Sequence, residues 1–261
     1  MPEGPSIVIL KEEAQIFEGK KIRHVSGNAK IDLPRLHSKK ILHFKSWGKH
    51  FLICFDNFFI KIHLLMFGSY RINEEKEYAP RLHLAFSNGE LNFYSCSVKL
   101  IEGNPDDVYD WEVDTMSDDW NPQKAFAALK LQKDVLICDA LLDQEIFSGV
   151  GNIIKNEVLF LEKIHPETKT TALSEKKLKA LIKTTRSYCF SFYKWKKAFV
   201  LKKHWLVHRC KVCSVCDSKI TAKYLGTRDR ITYYCSHCQA APSLAKRTSL
   251  RLRSVTRERA N

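Results

Sequence analysis

The stretch Asp143-Gln144-Glu145-Ile146-Phe147-Ser148-Gly149-Val150-Gly151-Asn152 sits in a helix-patterned part of the chain. Two glycines interrupt that pattern, so one helix stops at the Gly-x-Gly turn and another starts at about Asn152. A helix N-terminus behind glycines presents backbone N–H groups that can close on a phosphate. The same turn also serves plain helix-on-helix packing, and these ten residues leave both uses open.

Outward from this turn, helical signals run from residue 121 to about 199. Asn121-Pro122 pairs an N-cap with a first-turn proline. Behind Ser174-Glu175, the residues Leu178, Leu181, Ile182, Cys189 and Phe192 share one apolar helix face. On the N-terminal side the pattern breaks at Gly103-Asn104-Pro105. Acids follow at Asp106, Asp107, Asp110, Glu112, Asp114, Asp118 and Asp119, an acidic connector that should face away from any polyanion. Residues 20–101 have strand character. The apolar runs 41–55, with a break at Trp47-Gly48, and 58–72 flank an Asp56-Asn57 hairpin turn. Ser87-Asn88-Gly89-Glu90 signals another hairpin, with Asn-Gly taking the positive φ of a type I′ turn. Residues 6–18 carry Ile9, Glu13 and Ile16, and Leu10, Ala14 and Phe17, at helical spacing, which predicts one helix ending at Gly19.

On the C-terminal side stand Cys213-x-x-Cys216 and Cys235-x-x-Cys238. Two such pairs 18 residues apart are the pattern of a structural zinc ribbon with four thiolate ligands. Cys210 is a fifth candidate ligand, but Asp217-Ser218 supplies a turn after Cys216 and favours the four. Lys219, Lys223, Arg228 and Arg230 lie between the pairs, suited as a group to phosphate contacts although singly each reads as a solvated side chain. Residues 240–261 form a basic, apolar-poor tail, expected to be flexible and to add salt-sensitive attraction to DNA.

The chain has 261 residues, 44% hydrophobic, with a net charge of +14. That length suits one large or two ordinary domains, and that charge favours a polyanionic partner, nucleic acid first. No apolar run approaches a membrane span, and Glu3, Lys11, Glu12 and Glu13 rule out a signal-peptide core. The expected location is therefore intracellular, in cytoplasm or nucleoid, with no membrane partner. Scattered Cys54, Cys96, Cys138 and Cys189 read as reduced core thiols.

The first residues are Met1-Pro2-Glu3-Gly4-Pro5. Removal of Met1 would leave Pro2 as a secondary amine, titrating near the ordinary α-amino value of about 8 and nucleophilic when neutral. Glu3 beside it can move protons. By themselves these five residues read as an initiator methionine followed by a turn, and the rest of the chain decides.

Four stretches in order resemble the formamidopyrimidine-DNA glycosylase / endonuclease VIII family. They are Met1-Pro2-Glu3-Gly4-Pro5; Gly48-Lys49 followed by His63-Leu64-x-Met66-x-Gly68-Ser69-x-Arg71-Ile72; the segment from Asp143-Gln144 through Gly149-Val150-Gly151-Asn152 to Ile164-His165-Pro166; and Arg230-x-Thr232-x-Tyr234-Cys235-x-x-Cys238-Gln239. Gly4 is closer to the endonuclease VIII branch. The resemblance spans residues 1–239 and implies an α+β fold. An N-terminal helix and a two-layered antiparallel β-sandwich (1–102) would be followed by the acidic linker (103–120). A helix–two-turn–helix domain (121–200), a zinc finger (201–239) and the basic tail (240–261) would complete it.

The activity so implied is that of a bifunctional DNA glycosylase and AP lyase of base excision repair, a monomer acting on damaged double- or single-stranded DNA. Pro2 would attack C1′ and form an imine, and β,δ-elimination would cut the strand. Glu3 would be the acid/base. Lys49 would contact phosphate and aid protonation. Asn152 and Arg230 would hold phosphates flanking the lesion while the nucleotide flips out, His63 would touch backbone, and Met66 would wedge into the stack, the competing reading for Met66 being a core methionine. Cys213, Cys216, Cys235 and Cys238 would hold zinc.

Three departures stand out. Ser6 replaces a glutamate common in the family. Ser95-Cys96-Ser97-Val98-Lys99 stands where an Asp-Pro-Arg-Arg-Phe loop reads the opposite base in formamidopyrimidine-type enzymes. Residues 194–209 are too short for a long base-capping loop. They favour oxidised pyrimidines and tolerance of single strands. Two rival readings are a non-catalytic protein that keeps the fold and an RNA-binding zinc-ribbon module.

Overall fold

The computed structural model describes residues 2–241. Helix α1 (Gly4–Ala14) starts with Pro5 in its first turn, where the missing N–H costs nothing. It buries Ile7, Leu10 and Ala14 and is shorter than its apolar spacing predicts. The chain tightens into a 3₁₀ turn at Gln15–Phe17 and ends at Gly19 with φ +73°. Phe17 stacks on Phe86, centroids 4.5 Å apart, which fixes the helix on the sandwich.

The strands are β1 (His24–Ser26), β2 (His43–Trp47), β3 (His50–Cys54), β4 (Phe58–His63), β5 (Ser69–Ile72), β6 (Leu82–Phe86), β7 (Gly89–Tyr94) and β8 (Ser97–Glu102). They form two four-stranded antiparallel sheets, ordered β2-β3-β4-β8 and β1-β6-β7-β5. Phe51, Ile53, Ile60 and Ile62 of one sheet and Leu82, Leu84, Leu91 and Phe93 of the other share the sandwich core.

Strand β3 is apolar at nearly every position because its second face is covered too. Leu52, Cys54, Trp47 and Phe59 pack against Tyr109 and Val113 of the connector. The 103–120 segment is thus bolted to the sheet. Asp106 accepts from the Lys45 ammonium at 2.6 Å and 2.8 Å, Asp110 and Glu112 pair with Lys124, and the Trp47 indole N–H donates to the Asp110 carbonyl at 2.8 Å.

The Asn88-Gly89 hairpin forms with a different turn from the expected type I′. Phe86 pairs with Gly89, so Ser87 and Asn88 are the loop, and only Gly89 takes positive φ. The Asn88 side chain instead donates to the Ile16 carbonyl at 2.8 Å, and that tertiary bond sets the turn.

The helical half contains α2 (Pro122–Leu131), α3 (Ile137–Ala140), α4 (Asn152–Leu161) and α5 (Glu175–Lys197). Asn121 caps α2 by accepting from the N–H groups of Gln123 and Lys124, and Ser174 caps α5. The anticipated α5 face is buried in one core with Ile154, Val158 and Leu159 of α4. α5 also packs on α1, where Glu12 accepts from the Tyr193 hydroxyl and from Lys197 at 2.8 Å, tying the two halves together. Among the described residues no helix is long and apolar enough to cross a membrane.

The chain closes with the antiparallel hairpin β9 (Thr221–Leu225) and β10 (Arg230–Tyr234), whose Leu225 and Tyr234 enter the helical core. The basic tail expected over 240–261 lies, from residue 242 onward, outside the described residues.

Candidate active site

Three backbones meet where the sandwich faces the helical half. The Gly4 N–H donates to the Gly149 carbonyl at 2.8 Å, and the buried Asp114 accepts the Gly48 N–H at 3.0 Å. Gly48 has φ +52°, and a Cβ there would lie 2.0 Å from the Ser148 hydroxyl oxygen. The β2–β3 turn can approach the Gly149 turn only because it carries glycine. That approach puts the next residue, Lys49, over the helical half.

Glu3 is fully buried. Its carboxylate sits on the N-terminus of α4, accepting from Ile153 N–H at 2.7 Å, Gly151 N–H at 3.1 Å and Ile154 N–H at 3.2 Å. This corrects the phosphate-grip reading of the Gly149-Val150-Gly151 turn. Three N–H groups at the start of α4, those of Gly151, Ile153 and Ile154, are taken by an internal carboxylate, the anion that a helix N-terminus favours. Burial pushes the Glu3 carboxyl up, and the Lys49 charge and the three N–H donors pull it back only in part.

A cleft of about 460 Å³ opens above this contact. Of the residues singled out from sequence, Pro2, Lys49, His63, Met66, Asn152 and Arg230 line it. Glu3 lies beneath its floor, and none of the connector acids lines it. Lys49 donates to the Val150 carbonyl at 2.6 Å, and burial lowers its ammonium to about 8 against the opposing pull of Glu3. His63 packs edge-on against His50, with centroids 5.4 Å apart. Burial lowers both imidazoles, that of His50 to about 3, so they face the cleft neutral. Met66 is half exposed rather than in a core, and Arg230 reaches it with Nη1 3.7 Å from the sulfur.

Asn152 donates to the Ile231 carbonyl at 2.8 Å, which joins the first turn of α4 to β10. Next along the same helix face, Lys155 is buried and donates to the Thr232 hydroxyl at 2.7 Å; burial lowers it to about 8. The other end of the hairpin is held by Asp139, which accepts from the Thr227 N–H at 2.8 Å, the Thr227 hydroxyl at 3.2 Å and the Arg228 N–H at 3.4 Å. These bonds aim Arg228 and Arg230 into the cleft.

Cys213, Cys216, Cys235 and Cys238 bring their sulfurs within 4.8 Å of one another, with Cys213 to Cys238 at 3.8 Å and Cys216 to Cys235 at 3.5 Å. Four sulfurs about 2.3 Å from one tetrahedral ion would be about 3.8 Å apart, so the set can bind a metal ion. Cys210 stands outside it, its thiol turned to the carbonyls of Trp205 and His208. Glu157 anchors the approach to this cluster, accepting the N–H groups of Leu206, Val207 and His208 at 2.8, 3.1 and 2.7 Å.

Sequence reasoning passed over Trp47 and His50 as cleft residues, and over Asp114, Asp139, Lys155 and Glu157 as supports, whereas Arg228, grouped from sequence with the phosphate-contacting residues, also lines the cleft. Lys155 was findable, since it stands three residues after Asn152 and so on one helix face. Asp114 and Asp139 gave no local signal.

The architecture is thus a two-sheet sandwich and a helical domain joined over a glycine-built cleft, with a four-cysteine hairpin at its edge. Residues 1–96 match the formamidopyrimidine-DNA glycosylase N-terminal domain, and residues 112–189 match the H2TH domain of the same family. The chain belongs to the formamidopyrimidine-DNA glycosylase / endonuclease VIII family. Mouse endonuclease 8-like 3 is 36% identical over 201 residues, covering 74% of this chain and 33% of the relative. Endonuclease 8 2 of Mycobacterium tuberculosis is 28% identical over 211 residues, covering 74% of this chain and 81% of that protein. The chain therefore spans about a third of the length of its endonuclease 8-like 3 relatives. In fold it is similar to Lactococcus lactis formamidopyrimidine-DNA glycosylase bound to DNA containing an AP site, with TM-score 0.80 at 23% identity over 92% of this chain and 100% of that one.

Proposed function

We propose that this chain is a bifunctional DNA glycosylase/AP lyase of base excision repair, working through an N-terminal proline imine. The observation that carries the reading is the convergence of Pro2, Lys49, Asn152 and Arg230, from four separate stretches, on one cleft. All of its groups come from a single chain, so a monomer suffices.

Freed of Met1, the Pro2 nitrogen attacks C1′ of the damaged nucleotide. The bond from C1′ to the base breaks and its electron pair leaves with the base. Opening of the sugar ring then gives the iminium ion. Removal of a C2′ proton expels the 3′ phosphate, and a second elimination expels the 5′ phosphate. Glu3 serves as acid/base from beneath the cleft floor. A carboxyl held above its usual range by burial can exchange protons with the Pro2 amine and with Lys49. Lys49 supplies charge and a proton near the sugar. Asn152, Arg230 and His63 hold the backbone, and Met66, half exposed on the cleft rim, fills the place of the flipped nucleotide.

The four-cysteine set binds zinc, which supplies no chemistry and fixes the hairpin that carries Arg230. Oxidised pyrimidines are the favoured lesions, and single strands are accepted. Two residues, Ser95 and Cys96, join β7 to β8, so no loop there reads an opposite base.

The test is borohydride trapping on abasic DNA. Wild-type protein lacking Met1 should give a covalent adduct, and Pro2→Gly or protein retaining Met1 should give none. If the processed protein binds abasic DNA without trapping, the non-catalytic reading replaces this one.

A further inference from the structure

Val113, Asp114 and Thr115 of the connector touch both walls of the cleft without lining it. They run beside Ser148 as a short parallel bridge. The Ser148 N–H donates to the Val113 carbonyl at 2.8 Å, and the Ser148 carbonyl accepts the Thr115 N–H at 3.2 Å and the Thr115 hydroxyl at 3.0 Å. Two residues beyond Ser148 is Val150, whose carbonyl accepts from the Lys49 ammonium at 2.6 Å. The opposite wall is held by Asp114, which accepts the Gly48 N–H on Oδ2 at 3.0 Å and the Met116 N–H on Oδ1 at 2.9 Å. One stretch of connector therefore holds both ends of the bond from Lys49 to Val150.

Asp114 is only 2% exposed, and a buried carboxylate is costly. Two N–H groups converge on its separate oxygens, and a carboxylate is the side chain that offers two acceptor oxygens and no donor. An amide of the same shape would aim an NH₂ group at one of those N–H groups. Around the carboxylate stand Lys11 of α1 and Arg186 of α5, which favour its charge, and the Cys189 thiol of α5, which burial keeps neutral. Burial outweighs them and pushes the Asp114 carboxyl up to about 6. Lys49 itself reaches the cleft on a flexible four-carbon stem. The backbone that carries it must be held if its ammonium is to stay in place.

Resting on the imine reading above, we propose that Asp114 is a positioning residue for Lys49, its ionised carboxylate locking the Gly48 turn so that the ammonium stays on the Val150 carbonyl in the cleft it shares with Pro2. Asp114 acts only through the turn, from outside the cleft lining. When its carboxyl takes up a proton, one oxygen turns from acceptor to donor, the turn loosens and Lys49 gains water.

The test compares wild type freed of Met1 with Asp114→Asn, by borohydride trapping at saturating abasic DNA and at a temperature below both melting midpoints. Asp114→Asn should bind abasic DNA like wild type yet trap about tenfold or more slowly at neutral pH. The fall in trapping as Lys49 loses its proton, near pH 8 in wild type, should move up by about half a unit or more, because a released Lys49 is better solvated. A loss of stability alone changes neither the rate of the folded protein nor the pH of that fall. Equal trapping rates, or an unmoved fall, overturn the proposal, whereas wild type that binds abasic DNA and never traps overturns the imine reading instead. Amide hydrogen exchange of the wild type decides the lock without activity, and also if Asp114→Asn does not fold. Relative to Phe51 and Ile53 of β3, the protection of the Gly48 and Met116 amides should drop about threefold or more as pH falls through about 6. Constant protection of both amides overturns the lock.

Discussion

Substitution of Gly151 by alanine tests how Glu3 is held. The backbone at Gly151 is extended, with φ −121° and ψ −164°, so alanine fits without strain. The added Cβ, however, would lie 2.4 Å from the Glu3 carboxyl carbon and 2.6 Å from Cγ and Oε1. Non-bonded carbons rest at about 3.5–4.0 Å, so Glu3 must withdraw by about 1 Å or more. Its bonds of 2.7, 3.1 and 3.2 Å to the α4 N–H groups cannot survive that movement. At about 1–1.5 kcal/mol net for each bond, Gly151→Ala should cost about 3–4.5 kcal/mol.

Glu3→Ala removes the same three bonds and should cost a similar amount. The two changes should not add. In a Glu3→Ala background the added Cβ no longer meets a carboxylate, leaving the loss of a glycine at an N-cap position, about 1 kcal/mol or less. Urea unfolding of wild type, both single variants and the double variant measures all four corners. Additive costs, or a Gly151→Ala cost under about 1 kcal/mol, would refute the claim that Glu3 is locked onto α4.

Three other outcomes are expected. Lys49 is lowered to about 8, so its charge is complete below that pH and lost as pH rises through it; imine trapping should fall on the alkaline side of pH 8, and Lys49→Arg, which keeps its charge there, should lack that fall. Asp139→Ala frees the 226–229 turn and should cost about 2–4 kcal/mol by denaturant unfolding. It should also weaken abasic-DNA binding in a fluorescence anisotropy titration while the zinc content stays at one per chain. Removal of zinc with a chelator should unfold the β9–β10 hairpin, seen as a lower melting midpoint, and reduce DNA affinity at least tenfold because Arg228 and Arg230 lose their support.

Much of the plan is legible locally because local physics sets it. The caps at Asn121 and Ser174, the start of α4 at Asn152 and the apolar face of α5 follow from helical spacing and orphan N–H groups. The paired Cys-x-x-Cys motifs foretell a four-cysteine set that can bind a metal ion, because two knuckles place four thiols together with little help from the rest of the chain. Six residues of the cleft lining, Pro2, Lys49, His63, Met66, Asn152 and Arg230, were foreseeable once four stretches were read as one family pattern.

Contacts between residues far apart in the chain were decided only in three dimensions. Glu3 and Ile153 are 150 positions apart, and nothing near either one says that a carboxylate, not a phosphate, will quench the α4 N-terminus. The acids after Gly103 read from sequence as a connector facing away from any polyanion, and the structure adds that Asp114 is buried against the Gly48 turn and Tyr109 covers Trp47. Whether a charge is solvated or buried depends on which surface folds over it, and side-chain spacing along one strand or helix carries no record of that surface. Sequence determined the elements and the chemistry available to them. Tertiary packing, through glycine-permitted backbone contact at Gly48, Gly149 and Gly151, determined which groups share the cleft and which lie beneath it.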